Sequence, residues 1–141
     1  MGPARRGRDA ARVPGLRVID DTDRELYQRT LEISKRAYAP YSNFLVGAVL
    51  RARDGTLFDG VNVENAAYPL GVCGEKTAYV TAVTQGYKPG DFDLIVINAS
   101  PCGGCRQWHV EFKVDRVVFA NNDGELVEYT ADELLPDTFV F

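Results

Sequence analysis

Leu94-Ile95-Val96-Ile97-Asn98-Ala99-Ser100-Pro101-Cys102-Gly103-Gly104-Cys105-Arg106-Gln107-Trp108-His109-Val110-Glu111-Phe112, with Arg116-Val117-Val118-Phe119-Ala120 shortly after, decides how this chain folds. Leu94 to Ile97 is an apolar run short enough to be a buried strand. Cys102 to Phe112 reads as a helix, and Arg116 to Ala120 as a second strand. A helix between two apolar strands predicts a parallel crossover. Working outward, Asp21-Thr22-Asp23 suits the positive end of a helix dipole. Leu26, Thr30, Ile33 and Ala37 then recur at helical spacing until Pro40. Val46 to Ala52 and Leu57 to Val63 read as a hairpin about the Asp54-Gly55 turn. Gly74 to Gln85 reads as a helix closed by Gly86 in a left-handed cap. Leu126 to Thr130, past the Asn121–Gly124 turn, is a weak strand, and Ala131 to Leu135 a last helical turn. Helices alternating with strands predict a layered α/β domain with a mixed sheet.

The chain has 141 residues, 45% hydrophobic and 26% charged, as expected of one globular domain with a real core. No apolar run approaches the ~20 residues needed to span a bilayer. A net charge of −4 argues against a protein that grips nucleic acid through its phosphates. Residues 1–17 carry Arg5, Arg6, Arg8, Arg12 and Arg17 against the single acid Asp9, and are expected to form a flexible tail. A single domain then spans 18–141.

All 3 cysteines fall in two motifs, Val72-Cys73-Gly74-Glu75-Lys76 and Pro101-Cys102-Gly103-Gly104-Cys105. An odd number of cysteines cannot pair off fully as disulfides, so thiolates kept for a metal in a reducing compartment, the cytoplasm, are expected. Both motifs sit at strand-to-helix junctions on one edge of the sheet. Cys102 and Cys105 in the first turn of a helix offer two corners of a tetrahedron, and Cys73 offers a third. With no fourth cysteine, the last corner is left to water, the mark of a catalytic zinc site. Three thiolates leave the complex at −1, which blunts the metal as a Lewis acid. Two helix N-termini, and hydrogen bonds from Lys76 and Arg106 to the ligands, are expected to offset that. Glu75 is the expected proton carrier. Cys-x-Glu with a distant Pro-Cys-x-x-Cys is the signature of zinc-dependent nucleobase deaminases.

From residue 38 onward the sequence resembles the small homotetrameric cytidine deaminases. The stretches that carry the resemblance are Ala39-Pro40-Tyr41-Ser42-Asn43-Phe44, Val46-Gly47-Ala48, Asn62-Val63-Glu64-Asn65-Ala66 and Tyr68-Pro69-Leu70-Gly71-Val72-Cys73-Gly74-Glu75. Pro101-Cys102-Gly103-Gly104-Cys105-Arg106-Gln107 and Leu134-Leu135-Pro136 with Phe139 complete them. The resemblance implies a five-stranded mixed sheet with helices on both faces, three layers in all, and one Zn2+ per subunit. It implies attack of activated water on C4 of cytosine in cytidine or deoxycytidine, releasing ammonia in pyrimidine salvage. It further implies that Asn62 and Glu64 bind the ribose 3′-hydroxyl and Phe44 packs on the pyrimidine. The Gly74 and Glu75 backbone and the Ser100 carbonyl would read the base edge. Tyr68 and Phe139 would complete a neighbour's pocket within a homotetramer.

Gly74 replaces the family's usual alanine, Lys76 its usual arginine, and the Asn98-Ala99-Ser100 connection is shorter than in relatives. Trp108 and His109 are read as packing residues. Three other functions merit weighing. A deaminase of a modified cytosine nucleoside such as blasticidin S shares the chemistry. A non-catalytic zinc-stabilised module gives no use to Glu75. A thiol redox protein leaves both Cys73 and Glu75 without a role.

Overall fold

A computed structural model describes residues 17–141. Four helices, α1 (Asp21–Ser34), α2 (Gly74–Thr84), α3 (Gly103–Phe112) and α4 (Ala131–Leu134), enclose five strands. The strands are β1 (Gly47–Ala52), β2 (Leu57–Val61), β3 (Phe92–Ile97), β4 (Arg116–Ala120) and β5 (Leu126–Tyr129), in the order β2-β1-β3-β4-β5. The β3–β4 pair is parallel and the other three pairs are antiparallel, so the mixed sheet and the parallel crossover stand as expected.

Alternation along the strands separates two cores. Ala48, Leu50, Ile95, Ile97, Val117 and Phe119 face one way, toward Ala78, Tyr79 and Ala82 of α2, Phe112 of α3 and Leu134 of α4. Val49, Leu94, Val96 and Val118 face the other way, toward Leu26 and Ile33 of α1. Helices on both faces make the three-layer arrangement.

The termini of the helices follow from local chemistry. Asp20 and Asp23 form a reciprocal capping box on α1, and Thr130 and Glu133 form one on α4. Gly86 adopts φ +94°, a left-handed conformation just past α2 that a side chain would strain. The N-caps of α2 and α3 are Cys73 and Cys102, which places both motifs at helix mouths.

One expectation falls almost wholly on residues that are not described, and one needs correction. The Arg-rich tail lies outside the described residues except for Arg17, which is anchored and not loose. Its guanidinium pairs with Glu133 at 2.8 Å and donates to the Glu128 carbonyl at 3.2 Å. The first helix also stops at Ser34, short of Pro40, because Tyr38 leaves it to bond the backbone of Asn62 and Glu64.

Gly60 sets the seat of α2. A Cβ there would lie 2.2 Å from the Gly74 carbonyl oxygen and 2.5 Å from the Ala78 nitrogen. Both are backbone atoms that cannot rotate away, so only glycine lets β2 approach the first turn of α2. Gly60→Ala is expected to destabilise the fold by about 3 kcal/mol, at the upper end for overpacking. The urea midpoint of unfolding reads this directly, and an unchanged midpoint would contradict the close approach.

Candidate active site

The two cysteine motifs converge at the edge of the sheet. The Sγ atoms of Cys73, Cys102 and Cys105 all lie within 4.8 Å of one another. Cys73 and Cys102 are 3.6 Å apart, far beyond a disulfide bond. Three sulfurs at ~2.3 Å from a tetrahedral zinc stand ~3.8 Å from each other, so the trio fits that ion. Among the described residues no further His, Asp or Glu atom joins the group.

Electrostatics favour a thiolate at Cys73. The Cys105 N–H donates to Cys102 Sγ at 3.4 Å, using an otherwise orphaned donor of the first turn of α3. Hydrogen bonding from Cys105 lowers the Cys73 thiol to about 6, with Cys102 and the Lys76 charge acting the same way. Cys105, the partner that keeps its proton, is pushed up by that bond to Cys73 and by burial. A bound divalent cation would take the place of those shared protons.

Glu75 follows Cys73 into the first turn of α2 and is 3% exposed. Burial pushes its carboxyl up to about 7, and the Cys73 charge acts in the same direction. A buried carboxyl that titrates near neutrality can both take and give a proton.

A cavity of about 350 Å³ opens over this group. Phe44, Asn62, Glu64, Tyr68, Gly74 and Ser100 line it together with Cys73, Glu75 and Cys102. Six of the seven expected substrate contacts therefore share one space with the thiols. The seventh, Phe139, stands apart near the C-terminus, 72% exposed and in edge contact with Phe141. A larger apolar cleft of about 530 Å³ between α2 and α3, lined by Val80, Val83 and Trp108 among others, holds no thiol.

Several expected contacts are already engaged. Asn62 Oδ1 accepts from the Val46 N–H and its Nδ2 donates to the Phe44 carbonyl, both at 2.8 Å. Glu64 Oε1 accepts from the Tyr41 and Ser42 N–H groups at 2.9 and 3.1 Å, and its Oε2 accepts from the Ser42 hydroxyl. Those bonds, the Ser42 hydroxyl above all, lower the Glu64 carboxyl. Both side chains thus shape the rim carrying Phe44, with acceptor capacity to spare for a ligand hydroxyl.

Arg106 and Lys76 do not donate to the sulfurs. Arg106 bonds the Pro101 and Leu134 carbonyls at 3.1 and 3.2 Å, bracing the loop that carries Cys102. Lys76 Nζ sits 5.5 Å from the centroid of the Trp108 ring, a cation–π contact, and its charge reaches Cys73 only through space. Trp108 stacks on Tyr79 and Phe112, as a packing residue should. Asn98, in the short connection, accepts from the Gly47 N–H at 3.0 Å and donates to the Leu45 carbonyl at 3.2 Å, tying that loop to β1.

Residues 20–121 match the family model for the cytidine and deoxycytidylate deaminase zinc-binding region. The chain belongs to this deaminase family. Among its relatives is the probable cytidine deaminase of Dictyostelium discoideum, 43% identical over 110 residues that cover 73% of this chain and 74% of the relative. The cytidine deaminase of Sporosarcina psychrophila is 39% identical over 82% of this chain and 89% of its own. A crystal structure of cytidine deaminase from Burkholderia pseudomallei superposes with a TM-score of 0.77 at 42% identity, covering 82% of this chain and 98% of that one. The deaminase match accounts for the three-thiol cluster as a zinc site. Among the described residues no helix is long and apolar enough to cross a membrane.

Proposed function

We propose that this protein is a zinc-dependent hydrolase that deaminates cytidine and deoxycytidine to the uridine nucleosides, releasing ammonia. The observation that carries the reading is a trio of mutually adjacent sulfurs and a buried carboxylate at the floor of one cavity. Cys73, Cys102 and Cys105 would hold the ion. When bound, zinc supplies the Lewis acidity that makes water a nucleophile at neutral pH.

The remaining work belongs to the chain. Glu75 takes a proton from the attacking water and passes it to the ring nitrogen N3; it then takes the remaining proton of the new C4 hydroxyl and delivers it to the amine, which leaves as ammonia while the C4 carbonyl forms. Phe44, exposed at the cavity mouth, offers a face for the pyrimidine. Gly74, at the first position of α2, offers its free N–H to the base edge, and Ser100 its carbonyl. Asn62 and Glu64 receive the ribose 3′-hydroxyl with the bonding capacity the rim leaves them. A carboxylate at that position repels a 3′-phosphodiester, which selects free nucleosides over nucleic acid. A second copy fits the apolar surfaces left open: the α2–α3 cleft, Tyr68, Leu70 and the Phe139–Phe141 end. The reading includes a homotetramer in which Phe139, and Tyr68 from the rim of its own cavity, reach adjoining sites, working where thiols stay reduced, in the cytoplasm.

The test is absorbance and ammonia release with cytidine, deoxycytidine, cytidine 3′-phosphate, blasticidin S and a cytosine-containing single-stranded oligonucleotide. Turnover of the two free nucleosides, far above the phosphorylated and polymeric substrates, is the expected result. Equal rates on the oligonucleotide would overturn the nucleoside assignment, and blasticidin S as the sole substrate would replace it.

A further inference from the structure

His109 is the only histidine in the chain, and the fold seals it completely at 0% exposure. It stands one helical turn beyond Cys105 on α3, as Tyr79 stands one turn beyond Glu75 on α2. The two meet: Tyr79 Oη lies 2.7 Å from His109 Nδ1. On its other side, His109 Nε2 faces Glu75 Oε2 at 3.8 Å. Both of those atoms are buried and lack any other hydrogen-bond partner.

Proton placement follows from counting donors and acceptors. Burial holds the ring neutral, its affinity for a second proton lowered to about 3. A neutral imidazole carries one N–H. Were it on Nδ1, the buried Tyr79 hydroxyl, 2.7 Å from that nitrogen, would have no acceptor for its own proton. With Tyr79 donating to Nδ1, the ring proton sits on Nε2, where the one group facing it is Glu75 Oε2, 3.8 Å away and itself without a partner. The 3.8 Å gap is longer than a hydrogen bond, as such contacts often are before substrate binds.

We propose that His109 is a positioning residue for Glu75: Tyr79 fixes the imidazole with its proton on Nε2, and that N–H holds Glu75 Oε2. The other carboxylate oxygen is then left to work toward the cavity. This extends the reading of Glu75 as proton carrier and rests on it. It also revises the expectation that His109 only packs.

Because the chain has a single histidine, 15N-histidine labelling of the full, zinc-loaded protein reports one ring. The expected spectrum is that of the Nε2–H form, and its Nε2 resonance shifts in Glu75→Ala. In parallel, His109→Leu is expected to lower kcat about tenfold or more with KM and zinc content unchanged, the size seen for lost orienting partners. His109→Gln, which restores an N–H at a similar reach, should recover most of that loss. If His109→Leu fails to fold, Tyr79→Phe keeps the ring and removes its lock, and should give mixed tautomers with lowered kcat. An Nδ1–H spectrum, or His109→Leu with wild-type kcat, would overturn the proposal. Absence of any ammonia release by the wild-type protein would instead refute the deaminase reading, while the spectrum still decides the hydrogen bond.

Discussion

Glu75→Gln is expected to bind zinc at full stoichiometry and to lose nearly all turnover. Glutamine keeps the length, the volume and an acceptor oxygen, so the cavity wall and the cluster of Cys73, Cys102 and Cys105 stay as they are. What it lacks is the ability to carry a proton. A positioned acid–base group contributes about 10²–10⁴ in rate, and the upper end applies because Glu75 is asked to move two protons in succession. The absorbance decrease from cytidine to uridine gives kcat, and metal analysis of the same sample gives occupancy. An unchanged KM would locate the defect in the chemical step. A variant within tenfold of wild type would reduce Glu75 to a structural carboxylate and leave the proton path without a carrier.

The reading of Glu75 needed only its place after Cys73, and that is typical of what this sequence discloses. Elements with a strong local signal were legible: β4 has the expected bounds, and Gly86 caps α2 in the left-handed conformation expected of it. Errors arose where distant residues compete for the backbone. β3 begins two residues before Leu94, at Phe92, because the intervening Asp93 is neutralised by a two-point bond to Arg51 on β1, at 3.0 Å for each contact. The end of α1 is set by Asn62 and Glu64, far along the chain. The same holds for the site. Motif spacing located the three thiols, but not that Arg106 spends its donors on Pro101 and Leu134, or that Lys76 lies over Trp108. Gly60 carries no local mark in the sequence, because its importance is a distance to another element's backbone. The Tyr79–His109 pair did leave a trace, since both residues sit four positions after a site residue. Only the packing of α2 against α3 gives that spacing meaning.

Removing one sulfur should separate the metal's contribution from that of the fold. Cys105 is the sharpest choice, because it is 2% exposed and its replacement by alanine leaves the N-caps Cys73 and Cys102 untouched. Two sulfurs bind zinc far less firmly than three, so Cys105→Ala is expected to purify with well under one zinc per chain and without measurable turnover. The fold should survive: both core clusters are built from side chains other than the three cysteines. Thermal stability should nevertheless fall, since a ligand held only by the native state contributes about 4 kcal/mol at a thousandfold excess over its dissociation constant. Wild-type protein stripped by a chelator should lose activity in the same way and a similar share of stability. The decisive contrast is recovery. Added zinc should restore both properties to the stripped wild-type protein and neither to Cys105→Ala. If stripped wild-type protein turned over cytidine undiminished, the cluster would be structural, and the chemistry assigned to this cavity would fall with it.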